Sequence, residues 1–222
     1  SELGFRKFED VIGKVNFLES EKEIKHWKAK KLDFTRILHR VDVPGEIEIK
    51  STSKQSHNLE QVLDYKLLEK CRKAIENKTP VFLESEIRNI NRTVGTIISS
   101  EIARMYGLEG LPEDTINIKF TGSGGQSFGA FLAKGITFTI EGDANDYVGK
   151  SLSGGKIIIY PSKDSTFIPE ENIIVGNVLL YGATSGEVYI RGKAGERFCV
   201  RNSGATAVVE SVGDHACEYM TG

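Results

Sequence analysis

The chain has 222 residues, enough to bury a sizeable core, with 29 basic and 31 acidic side chains and a net charge of −2. Basic residues number 20 against 18 acidic in residues 1–110 and 9 against 13 thereafter, so neither half is a nucleic-acid footprint. Cys71, Cys199 and Cys217 are an odd set without close metal spacing, the start SELGFRKFED lacks an apolar signal core, and the apolar runs are of strand length; together these predict a protein of a reducing cytoplasm, off the membrane.

Residues 1–57 read as an arm that wraps rather than as a core. Phe8, Val11, Ile12 and Val15 recur at helical spacing within Phe5 to Leu18, which predicts a short amphipathic helix interrupted by Gly13. Lys22 to Lys31 is a charged run around His26 and Trp27, the only tryptophan, read as an anchor onto a neighbouring surface. Leu32 to His39 suggests one more short helix, and Val41 to Ser56 is extended and polar with a turn at Pro44-Gly45.

Residues 58–110 carry two stronger helix signals and one strand. Asn58 is placed to cap a helix through Asn77 whose broad apolar face holds Val62, Leu63, Leu67, Leu68, Cys71, Ala74 and Ile75. Cys71 lies in that stripe, which makes it a buried apolar thiol rather than a nucleophile. Thr79-Pro80 ends the helix, Val81 to Ile87 reads as a strand, and a second helix carries Val94, Ile97, Ile98, Ile102 and Met105 before stopping at Gly107.

Composition shifts near residue 110, since 17 of the 23 glycines fall between Gly122 and Gly222. Gly122, Gly142, Gly176, Gly195 and Gly213 each precede a small or polar residue at steps of 20, 34, 19 and 18, a period of about 19 with one insertion, placed at Pro161 to Glu171 between two repeats. Each repeat holds a β-branched or aromatic strand: Ile116 to Phe120, Ile136 to Ile140, Ile157 to Tyr160, Val188 to Ile190 and Ala207 to Val209. A second strand is expected at 128–131, 147–149, 179–181, 198–200 and 217–219. Units this short bury an apolar face only by stacking on one another, so residues 111–222 are expected to form a parallel β-helix capped by the helices and strand of 58–110. The last turn is expected to be incomplete at Gly222, leaving an open end that frays or self-associates.

The glycines of Gly122-Ser123-Gly124-Gly125-Gln126-Ser127-Phe128-Gly129 read as tight corners. A dinucleotide fingerprint would need glycine where Ser127 stands, and a P-loop would need a Lys-Ser or Lys-Thr end. His26, His39, His57 and His215 are scattered, with His215 following Asp214 in a corner and no second partner for it in view. Asp143, Asn145 and Asp146 form an acidic corner whose spacing fits neither an EF-hand loop nor a calcium-binding β-helix repeat, which leaves corner hydrogen bonding. Arg88, Arg92, Lys193, Arg197 and Arg201 would contact a neighbouring domain or stay solvated. No catalytic, cofactor-binding or metal-ligating set is expected in the chain.

Several long stretches resemble a known family: LGFRKFEDVIG near the start, RNINRTVGT from Arg88, FTGSGGQSFGAFLAKG from Phe120, EGDANDYVGKSLSGGKIIIYP from Glu141, and the run from Glu171 to Gly222. They are similar to the C-terminal domain of the glutamate synthase large subunit. The resemblance implies a right-handed β-helix from an enzyme that makes L-glutamate from L-glutamine and 2-oxoglutarate, using FMN and an iron-sulphur cluster carried by other domains. That family's glutaminase uses an N-terminal cysteine, whereas Ser1 stands first here and the first cysteine is Cys71. The resemblance therefore implies a non-catalytic scaffold that packs against amidotransferase and synthase domains. The competing expectations are a module binding a small metabolite or flavin phosphate at its backbone corners, and a stand-alone subunit related to the β-helix subunit of formylmethanofuran dehydrogenase.

Overall fold

A computed structural model describes residues 2–18, 26–45 and 47–222. Of the charged run Lys22 to Lys31, the first four residues lie outside the described ones. The chain divides into two compact units, residues 1–57 and 58–222.

The described part of the first unit holds only 3-10 turns, at Phe8–Val11, Val15–Phe17 and Ala29–Lys31. The amphipathic helix expected over Phe5 to Leu18 is replaced by the first two of these, and Leu32 to His39 forms hydrogen-bonded turns rather than a helix. The reason is visible in the burial: Phe8 is 84% exposed and Ile12 42%, so their helical spacing meets no surface within this unit that would stabilise so short a helix. The Pro44-Gly45 turn forms, with the Ile47 N–H donating to the Pro44 carbonyl at 2.9 Å.

In the second unit helix α1 runs Leu63–Asn77, strand β1 Val81–Ile87 and helix α2 Thr96–Tyr106. Helix α1 begins after Val62, and Asn58 instead precedes a 3-10 turn at Leu59–Gln61, in a left-handed conformation. The strands that follow are β2 (Ile116–Gly124), β3 (Ile136–Ala144), β4 (Ser153–Tyr160), β5 (Ile173–Val175), β6 (Ser185–Ala194) and β7 (Thr206–Ser211). The fold is mainly β: a seven-stranded, wholly parallel sheet with few helices.

Strand alternation sets which side chains stack inward. One inward file is Leu83, Ile118, Phe138, Ile157, Val188 and Ala207, and the next is Ser85, Phe120, Ile140, Ile159, Ile190 and Val209. Phe120, Phe128 and Phe138 form an aromatic cluster with ring centroids 5.2 to 5.4 Å apart. Residues from α1 and α2, among them Leu67, Cys71, Ile75, Ile98 and Ile102, belong to the same buried cluster.

The second strand position is not strand at all. At 127–131, 147–151, 178–182, 197–201 and 215–219 the first, third and fifth residues have positive φ, from 53° to 66°, most of them without the help of glycine. These five rows bond to one another in both directions along the stack. The N–H groups of Ser127, Tyr147, Val178 and Arg197 donate forward to Asp146, Asn177, Glu196 and Asp214, while those of Gly149, Leu180, Cys199 and Cys217 donate back to Phe128, Val148, Leu179 and Phe198, all at 2.7 to 2.9 Å. Thr93-Val94-Gly95, leading into α2, supplies a partial row of the same kind ahead of the first.

The insertion occupies residues 161–172, close to the expected bounds, but it lies inside a repeat rather than between two. Ala144 pairs with Val175, and Val175 with Ala194, so β4 and β5 are two halves of a strand that β3 and β6 make in one piece. Residues 161–172 therefore leave the sheet inside a repeat, where the neighbouring strands have the positive-φ glycines Gly142 and Gly192. A strand already bent at that point can give out a loop there without disturbing the paired halves.

Candidate functional site

The corners form a hydrogen-bonded column. Gly125, Asn145, Gly176, Gly195 and Gly213 stack in order, joined by Asn145 N–H to Gly124 O, Gly176 N–H to Ala144 O, Gly195 N–H to Gly176 O and Gly213 N–H to Gly195 O at 3.0 to 3.1 Å. This column steps by 20, 31, 19 and 18 residues, so the expected series had merged it with the separate strand-bend series of Gly122, Gly142 and Gly192. Gly122 and Gly142 have φ of +125° and +150°, and a Cβ on either would run into a carbonyl oxygen, of Ile87 and of Gly122 respectively. Gly195 needs no special φ; it is glycine because Asn177 and the Gly176 backbone leave no room for a Cβ.

Side chains complete the column. Asp146 Oδ1 accepts the Asn177 N–H at 2.7 Å, and Asn177 Oδ1 accepts the Glu196 N–H at 2.8 Å. The acidic corner of Asp143, Asn145 and Asp146 thus uses Asp146 for backbone bonding, and no group of three His, Cys, Asp or Glu among the described residues is placed to hold a metal ion. In the stretch from Gly122 to Gly129, the Ser127 and Gly129 N–H groups donate to Asp146 and Val94, so they bind neighbouring backbone rather than face an anion.

None of the four histidines joins a group that could hold a metal ion among the described residues. His215 has the partner that the sequence did not reveal, with Nδ1 2.9 Å from Glu218 Oε1 on the surface. His26 Nδ1 accepts the Lys28 N–H at 3.3 Å and its ring stacks beside Trp27, which is 66% exposed. Arg92, exposed like Arg88, Arg197 and Arg201, lines a polar corner groove of 450 Å³ with Asn89, Gln126, Asn145 and Asp146.

Two thiols are held as neutral, buried groups. Burial pushes the Cys71 thiol up to about 11, with the Asp64 charge adding to the effect. Burial, joined by the neighbouring Cys217, pushes Cys199 up to about 12. A nucleophile acts as thiolate, so neither is poised to attack near neutral pH.

Asp64 is the polar residue that the sequence reading missed. It is 4% exposed in the first turn of α1, and its carboxylate accepts the N–H groups of Gly95 at 2.7 Å and Ile97 at 2.8 Å. Helix α2 has glycine at its N-cap, so a side chain from α1 satisfies donors that α2 leaves open. Burial raises the Asp64 carboxyl above its ordinary value, opposed by its bonds to Gly95, Ile97 and Ile98. The signal in the sequence was a lone acid beside Leu63, Leu67 and Leu68 on an apolar helix face. Ser99 and Thr96 extend the join: Ser99 Oγ accepts the Ala133 N–H at 3.1 Å and Thr96 Oγ1 donates to the Ala130 carbonyl at 3.0 Å.

A cleft of 730 Å³ lies on the outer side of β4, β6 and β7, where Ile158, Tyr189 and Val208 meet Tyr160, Phe167 and Arg191 under the 161–172 loop. Its charged lining is Lys163, Arg191 and Glu210. Among the described residues no helix is long and apolar enough to cross a membrane.

Residues 64–222 match the family model described as the GXGXG motif. The chain is 51% identical over 222 residues to the glutamate synthase [NADPH] large chain of Bacillus subtilis, covering 99% of this chain and 14% of that protein. It is 51% identical to the glutamate synthase [NADH] of Schizosaccharomyces pombe, covering all of this chain and 10% of that one. To the chloroplastic ferredoxin-dependent glutamate synthase of Spinacia oleracea it is 43% identical, with 100% and 14% covered. The chain thus spans about a tenth to a seventh of the length of these relatives.

Proposed function

The chain belongs to the GXGXG family, and from that membership we propose that it is the structural, non-catalytic part of a glutamate synthase, an enzyme forming L-glutamate from L-glutamine and 2-oxoglutarate. The observation that carries this reading is an identity of 51% over 99% of this chain to a large chain of which the match covers only 14%. FMN and the iron-sulphur cluster would then belong to other parts of the cytoplasmic parent protein, and nothing in this chain would bind them.

In this reading residues 111–222 are a right-handed parallel β-helix, residues 58–110 cap it, and residues 1–57 are an arm. Successive parallel strands joined through stacked rows support the coil, and its hand is the one that parallel crossovers adopt in about 98% of cases. Among the described residues, 1–57 contribute 12 of the 27 exposed large hydrophobic side chains, Phe8, Trp27, Ile37 and Val41 among them, and none of the buried core. So much apolar surface on an arm supports packing against the amidotransferase and synthase domains.

The purified chain is expected to form neither glutamate nor ammonia from glutamine, and titration with FMN, glutamine and 2-oxoglutarate is expected to give no saturable signal. Glutamate formation by this chain alone would overturn the reading. Saturable FMN binding would favour a flavin-phosphate module instead, with Lys163 and Arg191 of the 730 Å³ cleft as the cations to test.

A further inference from the structure

The last two rows bring two cysteines from distant places in the sequence into register. Arg197 N–H donates to Asp214 O at 2.8 Å, Cys217 N–H to Phe198 O at 2.7 Å and Arg201 N–H to Glu218 O at 2.9 Å, so residue 199 lies directly beside residue 217. Both are the central, positive-φ residues of their rows, at φ of 58° and 60°, and so project their side chains in the same sense. The corresponding positions in earlier rows are Gly129, Gly149 and Leu180. Hydrogen-bonded parallel segments run about 4.8 Å apart, inside the roughly 4.4–6.8 Å between Cα atoms that a disulfide spans. Both thiols are free, Cys199 buried and Cys217 exposed, and the Cys217 thiol is near enough to influence the ionisation of Cys199.

We propose that Cys199 and Cys217 are a vicinal redox pair, a modification site that closes to a disulfide between the last two rows on reaction with a small-molecule disulfide. The exposed Cys217 thiolate attacks one sulfur of the reagent, making a mixed disulfide and expelling the reagent's other half as a thiolate. Cys199 then loses its proton and its sulfur attacks Cys217, releasing the second half. Two protein thiols are oxidised by two electrons, the reagent disulfide is reduced to two thiols, and the two protons pass to those products. The second step is slow and base-accelerated because Cys199 must ionise inside the core. Cys71, buried on α1 among Leu67, Leu68 and Ile75, takes no part.

The test is to incubate the whole chain with oxidised glutathione at about pH 8, where thiolate exchange proceeds, and then count thiols after denaturation and map the linked peptides. The count should fall from three to one, the intact mass should drop by two hydrogens, and the link should join Cys199 to Cys217. Cys71→Ala should behave as the parent, Cys217→Ser should form no internal link, and Cys199→Ala should keep glutathione on Cys217. Should Cys199→Ala not fold, the exposed Cys217→Ser variant carries the comparison. A parent chain that retains glutathione on Cys217, that links two chains instead, or that keeps all three thiols overturns the proposal.

Discussion

Asp64 carries more of the join between α1 and α2 than any apolar contact of similar size could, because its carboxylate is the partner of two backbone donors in a dry place. Removing it leaves Gly95 and Ile97 N–H groups unsatisfied, at about 1–3 kcal/mol. Asp64→Ala is therefore expected to lower stability by about 2 kcal/mol in urea unfolding, and Asp64→Asn, which keeps one acceptor, by about half that. A loss under about 0.5 kcal/mol for the alanine variant, the level of an ordinary surface change, would contradict the capping role. The buried thiols set a limit at the alkaline end. Their folded-state pKa values, about 11 and about 12, lie above the ordinary 9.0, so the unfolded chain gives up its protons first as pH rises. Their contribution is intact below pH 9.0 and is lost as pH climbs toward 11 and 12, at up to about 1.4 kcal/mol per pH unit for each thiol. Unfolding midpoints between about pH 8 and 10.5 should fall less steeply for Cys71→Ala than for the parent, and parallel slopes would count against the assignment.

The row is the element that departs from ordinary secondary structure, and it explains which parts of the fold were legible. Strands such as Ile116 to Phe120 and the apolar files they form follow from β-branched residues alternating in the sequence, and β1 was read with its observed ends, Val81–Ile87. The rows bury short apolar runs, such as Leu179-Leu180 and Phe198-Cys199-Val200, and runs of that length imitate a buried strand. What separates the two is the positive φ at Phe131, Tyr147, Val178 and Leu180, residues whose chemistry gives no hint of it. The bonds between rows impose the conformation, so it became visible only with the stack in place. A left-handed conformation costs a side-chain residue about 1–2 kcal/mol, and more for a β-branched one. Val178→Asn should then leave the melting temperature unchanged or higher, whereas Val188→Asn, in the buried file of β6, should cost about 3 kcal/mol. Equal losses at the two sites would argue against the strain. Gly142→Val, which drives a Cβ onto the Gly122 carbonyl, should cost about 3 kcal/mol or more, while Gly45→Ala, with nothing within 4 Å, should be near neutral by thermal melts. The arm was misread for a related reason: helical spacing in Phe8, Val11 and Ile12 states which side chains want cover, and not that a helix supplies it.

At the scale of the second unit, each turn bonds to the turns beside it, and the corner column keeps count. The second step is 31 residues rather than 19, yet Ala144, Val175 and Ala194 still stand in one file. Replacing residues 161–173 by a single glycine, at the place of Gly142, keeps the buried Ile174 and the register of Val175, and should therefore preserve cooperative unfolding and shift the melting temperature by no more than about 4 °C, about 1 kcal/mol for a chain of this size. Loss of the folded state would mean that the loop is part of the core. The family resemblance was legible for a different reason, since it rests on long runs of specific residues and not on any conformational inference, and the match over 64–222 bears it out.

On the proposed β-helix, the stack is in effect a ruler graduated in turns. Distance along it grows by about 4.8 Å for each turn added, whether that turn consumes 18 residues or 31. Loops can lengthen, shorten or change chemistry at the strand bend without moving any graduation, whereas adding or losing one turn displaces everything beyond it by a fixed increment. A protein that must hold two bodies at a set separation, while letting its surface vary, is well served by a scale on which sequence length and physical length are decoupled.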